Sequence, residues 1–394
     1  MTGPMGMPAM GAVCALGCGR EEISRALLSG REDFLSPMAL LCREAEVLCG
    51  IVPGEIPELP AELRRFSCRA HRLAWMALQQ ILPEVRERAE RLGPGRIGVV
   101  VGSSTAGIDS TEAAYPVWKE TGSVPAGFSW EHQHEMGSAA GFVRDACGVS
   151  GPCWSLTTAC SSGAKVFASA RSLLRMGLCD VVVTGGVDTL CRTTMEGFDS
   201  LQSLSHGRCT PFAAGRDGLN LGEGAAFFLL EREDAEVRLL GVGESSDAHH
   251  MNAPDPQGRG AEASMRAALA DAGLLPEDVG YLNLHGTSTP LNDAMEAQAA
   301  ARVFPDGVPC ASTKPLTGHC LGAAGAVEAA LCWIGLAASE PLVPRHLSSG
   351  VPDPALPALR MVNDARATLS RRAWLSSSFA FGGSNCTLAL GRRP

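Results

Sequence analysis

Charged residues are scarce in this chain: of 394 residues, 19% are Asp, Glu, Lys or Arg, while 45% are hydrophobic. That balance excludes a disordered chain, which lacks the apolar residues needed to offset its ordering entropy. Basic residues are in deficit as well, 33 against 42 acidic ones, for a formal charge of -9. A general nucleic-acid or anionic-membrane surface is excluded, and any acidic partner has to be met by a local basic patch. The 15 cysteines include no Cys-x-x-Cys pair, and their number is odd and their spacing without repeat. Neither a disulfide framework nor a zinc cluster is implied, and the cysteines read as reduced, mostly buried thiols. Long apolar runs are missing too, because the uncharged stretches 2–19 and 146–164 are both broken by Gly, Pro, Ser and Thr. Neither has the continuous apolar length of a spanning helix. The first charge is Arg20, so no basic segment precedes an apolar one in the manner of a secretory signal. The expectation is a soluble, cytoplasmic protein with no nucleic-acid or membrane partner.

What the chain does contain is a rhythm of short β-branched runs, Gly/Ser/Thr-rich turns and Ala/Leu-rich stretches, the pattern of an α/β fold around buried strands. Strands are predicted at 97–102, 180–185, 225–231, 237–243, 279–285, 373–378 and 385–390, and helices at 64–81, 162–177, 260–273, 292–303 and 322–338. Two of the helices, 162–176 and 322–338, are apolar or small nearly all round, the first with Lys165 inside it and Arg171 and Arg175 towards its end, the second with Glu328 alone, and such helices are normally buried. The pair predicts an internal duplication, with halves at 1–233 and 234–394 and a seam in the polar stretch 231–236.

Three local features carry chemistry. Cys160, in Thr157-Thr158-Ala159-Cys160-Ser161-Ser162-Gly163, stands where a strand-like run turns into the first apolar helix. A helix N-terminus favours thiolate and can hold an oxyanion, which would make Cys160 a nucleophile; standing alone, it reads first as one more buried thiol. His285, in His285-Gly286-Thr287-Ser288-Thr289-Pro290, follows a predicted strand, where α/β proteins collect catalytic groups, although a turn His satisfied by its neighbours fits as well. Lys314 and His319 flank a segment almost free of charge, and Glu328 is the carboxylate within reach of Lys314. One Cys with two His suits acyl transfer followed by carbanion chemistry better than proteolysis, which needs one His and an orienting Asn or Asp. No Walker loop is present, and the pairs His132/His134 and His249/His250 lack further ligands at metal spacing, so no metal is expected.

Taken in order, TTACSSG (157–163), DGLNLGEGAAFFLLE (217–231), SSDAHHMNAP (245–254), HGTSTP (285–290), STKPLTGHCLGAAGAVEAA (312–330) and SFAFGGSN (378–385) resemble the discrete, type II beta-ketoacyl-acyl carrier protein synthases. The resemblance implies a thiolase-like α-β-α-β-α sandwich built from two similar halves, and decarboxylative Claisen condensation. It implies no bound cofactor, with substrates carried on the phosphopantetheine of acyl carrier protein. It makes Cys160 the acyl acceptor, with the N–H groups of Cys160 and Phe381 as oxyanion hole, and His285 and His319 the donors to the enolate. Lys314, matched by Glu328, sets their geometry, and Thr287, Thr289 and Asn252 bind the pantetheine arm. The acyl pocket and gate would be Thr105, Phe198, Phe379, Ala380 and Phe381, with Ala380 in place of the family's usual Gly. Arg64, Arg65, Arg69 and Arg72 match the segment on which the acidic carrier docks. MGAVCALG (10–17) stands for the first strand and turn. These departures look closest to the synthases of aryl polyene and xanthomonadin-type pigments, which implies a homodimer or a heterodimer with a chain-length-factor-like subunit. The alternatives are a housekeeping fatty-acid elongation synthase and a non-catalytic carrier-binding scaffold. A chain-length factor itself would have lost the nucleophile that Cys160 supplies.

Overall fold

A run such as Ile97-Gly-Val-Val-Val-Gly102 can sit only where both faces of a strand are covered. It does so in the computed structural model of this chain, which describes residues 3–40, 42, 45–347, 350–370 and 373–393. The strands that carry the architecture are β1 (Met10–Cys14), β2 (Ile97–Gly102), β3 (Cys153–Leu156), β4 (Val181–Asp188), β5 (Gly224–Glu231), β6 (Val237–Ser246), β7 (Val279–Asn283), β8 (Pro309–Ala311), β9 (Ala373–Phe379) and β10 (Ser384–Arg392). Their pairing repeats. β2 lies parallel to β3 and β4, β4 antiparallel to β5, and β5 antiparallel to β1. In the same way β7 lies parallel to β8 and β9, β9 antiparallel to β10, and β10 antiparallel to β6. The short strand Met5–Gly6 pairs with both β5 and β6 and joins the two sets into one 13-stranded sheet.

Eight helices need labels: α1 (Arg69–Leu78), α2 (Ile108–Thr121), α3 (Ser138–Cys147), α4 (Ser162–Arg175), α5 (Arg192–Ser200), α6 (Arg259–Ala272), α7 (Pro290–Val303) and α8 (Ala324–Ala337). α4 and α8 pack between the two sets of strands, α1 and α3 cover the outer face of the first set, and α6 and α7 that of the second. The result is the thiolase-like α-β-α-β-α sandwich. The two middle helices meet through small residues: a methyl group added at Gly163 would lie 2.8 Å from the Ala326 nitrogen and the Gly322 oxygen.

The structure corrects three expectations. The helix predicted over 64–81 is two elements, a 3-10 turn Ala61–Phe66 and then α1, because the chain breaks to bury Phe66, whose carbonyl bonds the buried His71 ring at 2.7 Å. α8 is buried at every position, but α4 is not: Lys165, Ala168, Ser169 and Arg175 are half-buried and Ser172 is exposed. The charges on that flank are paired, Lys165 with Glu244 and Arg171 and Arg175 with Asp271, which is how so apolar a helix carries them. Helices Gly19–Leu28, Leu82–Leu92, α2, α3 and α5, and the hairpin Ser36–Leu40 with Ala45–Cys49, were not marked by the hydrophobic pattern. All 15 cysteines are free thiols, most of them buried, and among the described residues no helix is long and apolar enough to cross a membrane.

The close approach of α4 and α8 is testable by one methyl group. Gly163→Ala is expected to lower stability by about 1–3 kcal/mol, since the atoms it would strike are backbone and cannot turn aside. Gly197→Ala, in α5 and with open space around it, should be neutral or stabilising by up to about 1 kcal/mol. Urea denaturation of both variants checks this, and equal effects would contradict the packing described.

Candidate active site

Three segments from different parts of the chain converge on one cavity of about 190 Å³. The first is the turn between β3 and α4. Ala159 takes a left-handed backbone (φ 50°), and the turn is laced by hydroxyls: Ser162 Oγ receives the Thr158 N–H at 2.8 Å and donates to the Ala159 carbonyl at 2.6 Å. This fixes Cys160 just ahead of the helix, with the N–H groups of Phe381 and of Cys160 itself directed at its sulfur. The second is the loop after β7. The buried Glu296 on α7 accepts the N–H groups of His285 and Gly286, each at 2.7 Å, and so pins His285 at the strand end. The third is the approach to α8, where His319 donates its N–H to the Asn220 carbonyl at 2.7 Å and accepts that of Gly222 at 2.9 Å.

The side chains meet. His319 Nε2 lies 3.0 Å from Cys160 Sγ, and the His285 and His319 rings stand edge to face with centroids 5.3 Å apart. Behind them the Lys314 ammonium has three acceptors for its three protons: Glu328 Oε1 at 2.6 Å, the His285 carbonyl, and His285 Nδ1 at 3.4 Å. A cation at Nδ1 leaves the His285 proton on Nε2, so that ring presents a donor to the cavity. Nδ1 of His319 has no hydrogen-bond partner among the described residues, so nothing on that side dictates where its proton sits.

The charges follow from burial. Both imidazoles are held well below the usual histidine range, by burial first and then by Lys314, so both rings are neutral. Burial also raises Glu328, against the pull of Lys314. Cys160 corrects the sequence-based expectation of a resting thiolate: burial pushes its thiol up to about 11, and Lys314 and the Phe381 N–H only partly offset this. Desolvation outweighs the helix terminus, and at rest Cys160 is a thiol donating to a neutral His319. Cys160 Sγ and one nitrogen from each of these His rings lie within 4.8 Å of one another, a spacing that could hold a metal ion. The Lys314 ammonium, by keeping the proton on Nε2 of His285, removes the lone pair that such an ion would need. The set is built to donate hydrogen bonds.

Around the cavity stand Phe198, Phe379, Ala380, Phe381, Asn252, Thr287 and Thr289, all expected from the sequence. Phe381 stacks on Phe198 with centroids 5.6 Å apart, and the Thr287 and Thr289 hydroxyls bond each other at 2.9 Å. Thr105 is a correction. It does not line the cavity; its hydroxyl donates to Asp188 at 2.6 Å and its N–H at 2.8 Å, beside further bonds to Asp188 from Ser103 and Ser104. Of the docking arginines, Arg69 is a correction. Arg69 holds the fully buried Glu223 with contacts of 2.5 and 2.7 Å, Arg65 pairs with Asp145, and Arg72 pairs with Glu58 and caps the Pro57 carbonyl. Of the four, Arg64 is exposed and without an ion pair among the described residues. A buried carboxylate needs a cation, and Arg69 is committed to that task. Asp247, Asn385 and the buried Asp188, Glu296 and Asp293 were missed. Asp247 accepts from Asn385 at 2.7 Å, its N–H reaches the Gly383 carbonyl, and the Gly382 N–H reaches Met251, which ties the segment 247–251 to the Phe381 loop.

A buried thiol beside two neutral imidazoles, on this fold, defines a condensing acyltransferase. The beta-ketoacyl synthase N-terminal domain matches residues 8–236 and the C-terminal domain matches residues 236–348. The chain is 36% identical to nodulation protein E of Rhizobium meliloti strain 1021 (96% of this chain, 97% of that one). It is 34% identical to 3-oxoacyl-[acyl-carrier-protein] synthase 2 of Staphylococcus aureus strain COL (74% of each). Among solved structures it resembles the ketosynthase ApeO, in complex with its chain length factor ApeC, from Xenorhabdus doucetiae. That match has 40% identity and a TM-score of 0.93, over 99% of this chain and 98% of that one. The chain belongs to the beta-ketoacyl synthase family and is a beta-ketoacyl-[acyl-carrier-protein] synthase, an acyltransferase.

A thiol held protonated by burial has a signature. Alkylation of Cys160 by a small electrophile is expected to accelerate about tenfold per pH unit through the neutral and mildly alkaline range, without levelling off there. The rate is read as iodoacetamide incorporation at Cys160 by peptide mass spectrometry. A plateau near neutrality would mean a resting thiolate–imidazolium pair and overturn the assignment of protonation states.

Proposed function

We propose that this chain is the condensing subunit of an aryl polyene-type pathway and extends a carrier-bound acyl chain by two carbons per round, beside a chain-length-factor-like partner. The pathway reading is supported by the motifs quoted above and by the 40% identity to a ketosynthase that was solved with its chain length factor. The chemistry is supported by one contact, His319 Nε2 at 3.0 Å from Cys160 Sγ.

In the loading step the Cys160 thiol gives its proton to His319 and its sulfur attacks the thioester carbonyl of the acyl carrier. The N–H groups of Cys160 and Phe381 hold the oxyanion, and the departing pantetheine thiolate leaves with the proton from His319. With Cys160 acylated, the His319 proton can sit on Nε2, because nothing fixes it at Nδ1. Both rings then present Nε2–H donors where the malonyl thioester oxygen comes to lie, between Thr287, Thr289 and Asn252. Loss of carbon dioxide places negative charge on that oxygen. Two neutral donors stabilise the resulting enolate without quenching it by protonation. The enolate carbon attacks the acyl-Cys160 carbonyl, the C–S bond breaks, and the Cys160 thiolate takes a proton from water to restore the resting thiol. Lys314 acts through His285 as a positioning residue.

Cys160→Ala is expected to abolish both acyl loading and condensation. His285→Ala should leave loading within about tenfold of wild type while cutting decarboxylation of malonyl carrier protein by at least about a hundredfold. Intact-mass spectrometry and carbon dioxide release separate the steps, and equal loss of both in the His285 variant would remove the donor role. The pathway is tested by competition between acyl carriers of equal length, one saturated and one with conjugated double bonds. Preference for the conjugated chain is expected; preference for the saturated one would favour fatty-acid elongation.

A further inference from the structure

Asp188 ends β4 fully buried, and among the described residues its partners are neutral donors instead of a cation. Five of them converge on the one carboxylate: Ser103 Oγ at 2.7 Å, the Ser104 N–H at 2.9 Å and its Oγ at 2.8 Å, and the Thr105 N–H at 2.8 Å and its Oγ1 at 2.6 Å. A carboxylate removed from water needs such compensation. The turn after β2 is wrapped round it, and Ser103 Oγ also accepts the N–H of Ala106, whose backbone is left-handed (φ 46°).

One hydroxyl carries this arrangement across to the catalytic loop. Ser104 Oγ, while donating to Asp188, accepts the Gly322 N–H at 3.0 Å. Gly322 lies three residues beyond His319, past Leu321, which is again left-handed (φ 52°). A methyl group added at Gly322 would lie 2.5 Å from Asp188 Oδ2 and 2.6 Å from Ser104 N, so the contact has no room for a side chain. The stretch 319–322 is therefore held at both ends, by Asn220 and Gly222 at His319 and by Ser104 at Gly322. Between these anchors His319 Nε2 reaches Cys160 Sγ at 3.0 Å. The carboxylate also acts through space, since its charge raises the Cys160 thiol while that of Lys314 lowers it.

We propose that Asp188 is a positioning residue of the loading step: through the Ser104 hydroxyl and the Gly322 N–H it holds His319 within reach of the Cys160 thiol. The inference rests on the proton transfer from Cys160 to His319 described above and adds the group that keeps the acceptor in place. Asp188 does not line the catalytic cavity and acts only through residues that do.

Loading of Cys160 is followed by intact-mass spectrometry, with the acyl carrier that wild type takes fastest in the competition above. Ser104→Ala is expected to lower the saturating rate about 10- to 30-fold and to leave the half-saturating carrier concentration within about threefold. Ser104→Thr, which keeps the hydroxyl, should return to within about threefold of wild type. In Asp188→Asn the amide NH2 faces donors, and loading should fall at least about 100-fold. That variant has also lost the negative charge, so iodoacetamide should alkylate its Cys160 severalfold faster at pH 7, whereas Ser104→Ala keeps the charge and should stay within about threefold of wild type. Ser104 is half-buried and its Ala variant is expected to fold, so the test does not depend on Asp188→Asn.

A double-mutant cycle separates this role from a general structural one. His319→Ala should itself slow loading, and adding Ser104→Ala to it should cost less than about twofold more. Three results would overturn the role of Asp188: loading by Ser104→Ala at the wild-type rate, a raised half-saturating concentration with the saturating rate unchanged, or the full Ser104→Ala loss recurring in the His319→Ala background. His319→Ala loading at the wild-type rate is a different failure, because it would bring down the proton transfer itself and this role with it.

Discussion

The Lys314 ammonium is the charge on which the site turns. It lies 1% exposed in a region otherwise walled by small and apolar side chains, and burying a cation there is tolerable because Glu328, equally buried on α8, meets it at 2.6 Å. Removing one member of such a pair strands the other at a cost of about 3–5 kcal/mol. The pair does more than offset itself. Two further ammonium protons reach the His285 carbonyl and Nδ1, so a single group fixes a backbone position, a tautomer and a local potential. Burial first, and then the same positive charge, keep both histidines neutral. Burial and cation together give two uncharged imidazoles facing one buried thiol, which water or an exposed surface would not maintain.

Around that centre the loops are held by carboxylates rather than by regular structure. Glu296 takes the N–H groups of His285 and Gly286 while burial raises it to about 8. Asp293, raised by burial to about 6, takes those of Phe212 and Ser288. Asp188 gathers the Ser104 and Thr105 N–H groups at the end of β2. Each loop therefore has its shape set by an acid on a neighbouring rigid element. The Phe381 loop differs, being tied to the equally irregular segment 247–251 through backbone bonds at Asp247 and Gly382.

Much of this was legible in the sequence. β2, β5 and the first half of β4 are buried on both faces and so read as continuous apolar runs, and α8 declares itself by having one charge in its length. Cys160, His285 and His319 were found because each sits at an element boundary that pattern and turn residues mark. The protonation state of Cys160 was not legible, since burial is set by residues far away in the chain and here it overrides the local helix terminus. Thr105 and Arg69 were misassigned for one reason: their buried partners, Asp188 and Glu223, lie 83 and 154 residues distant, and no local spacing shows that the polar group is already bound. α2 was missed because its apolar residues face outward, which leaves no amphipathic period pointing to a core.

The distribution of thiols has a pharmacological side. Cys42 is exposed, whereas Cys160 is buried behind Phe381 and rests protonated. An electrophile chosen for reactivity alone will therefore decorate the surface before it silences the enzyme. A selective covalent inhibitor of this chain has to win its target by shape, threading past Phe198 and Phe381 and borrowing the oxyanion hole, so that its warhead becomes reactive only once the protein has positioned it.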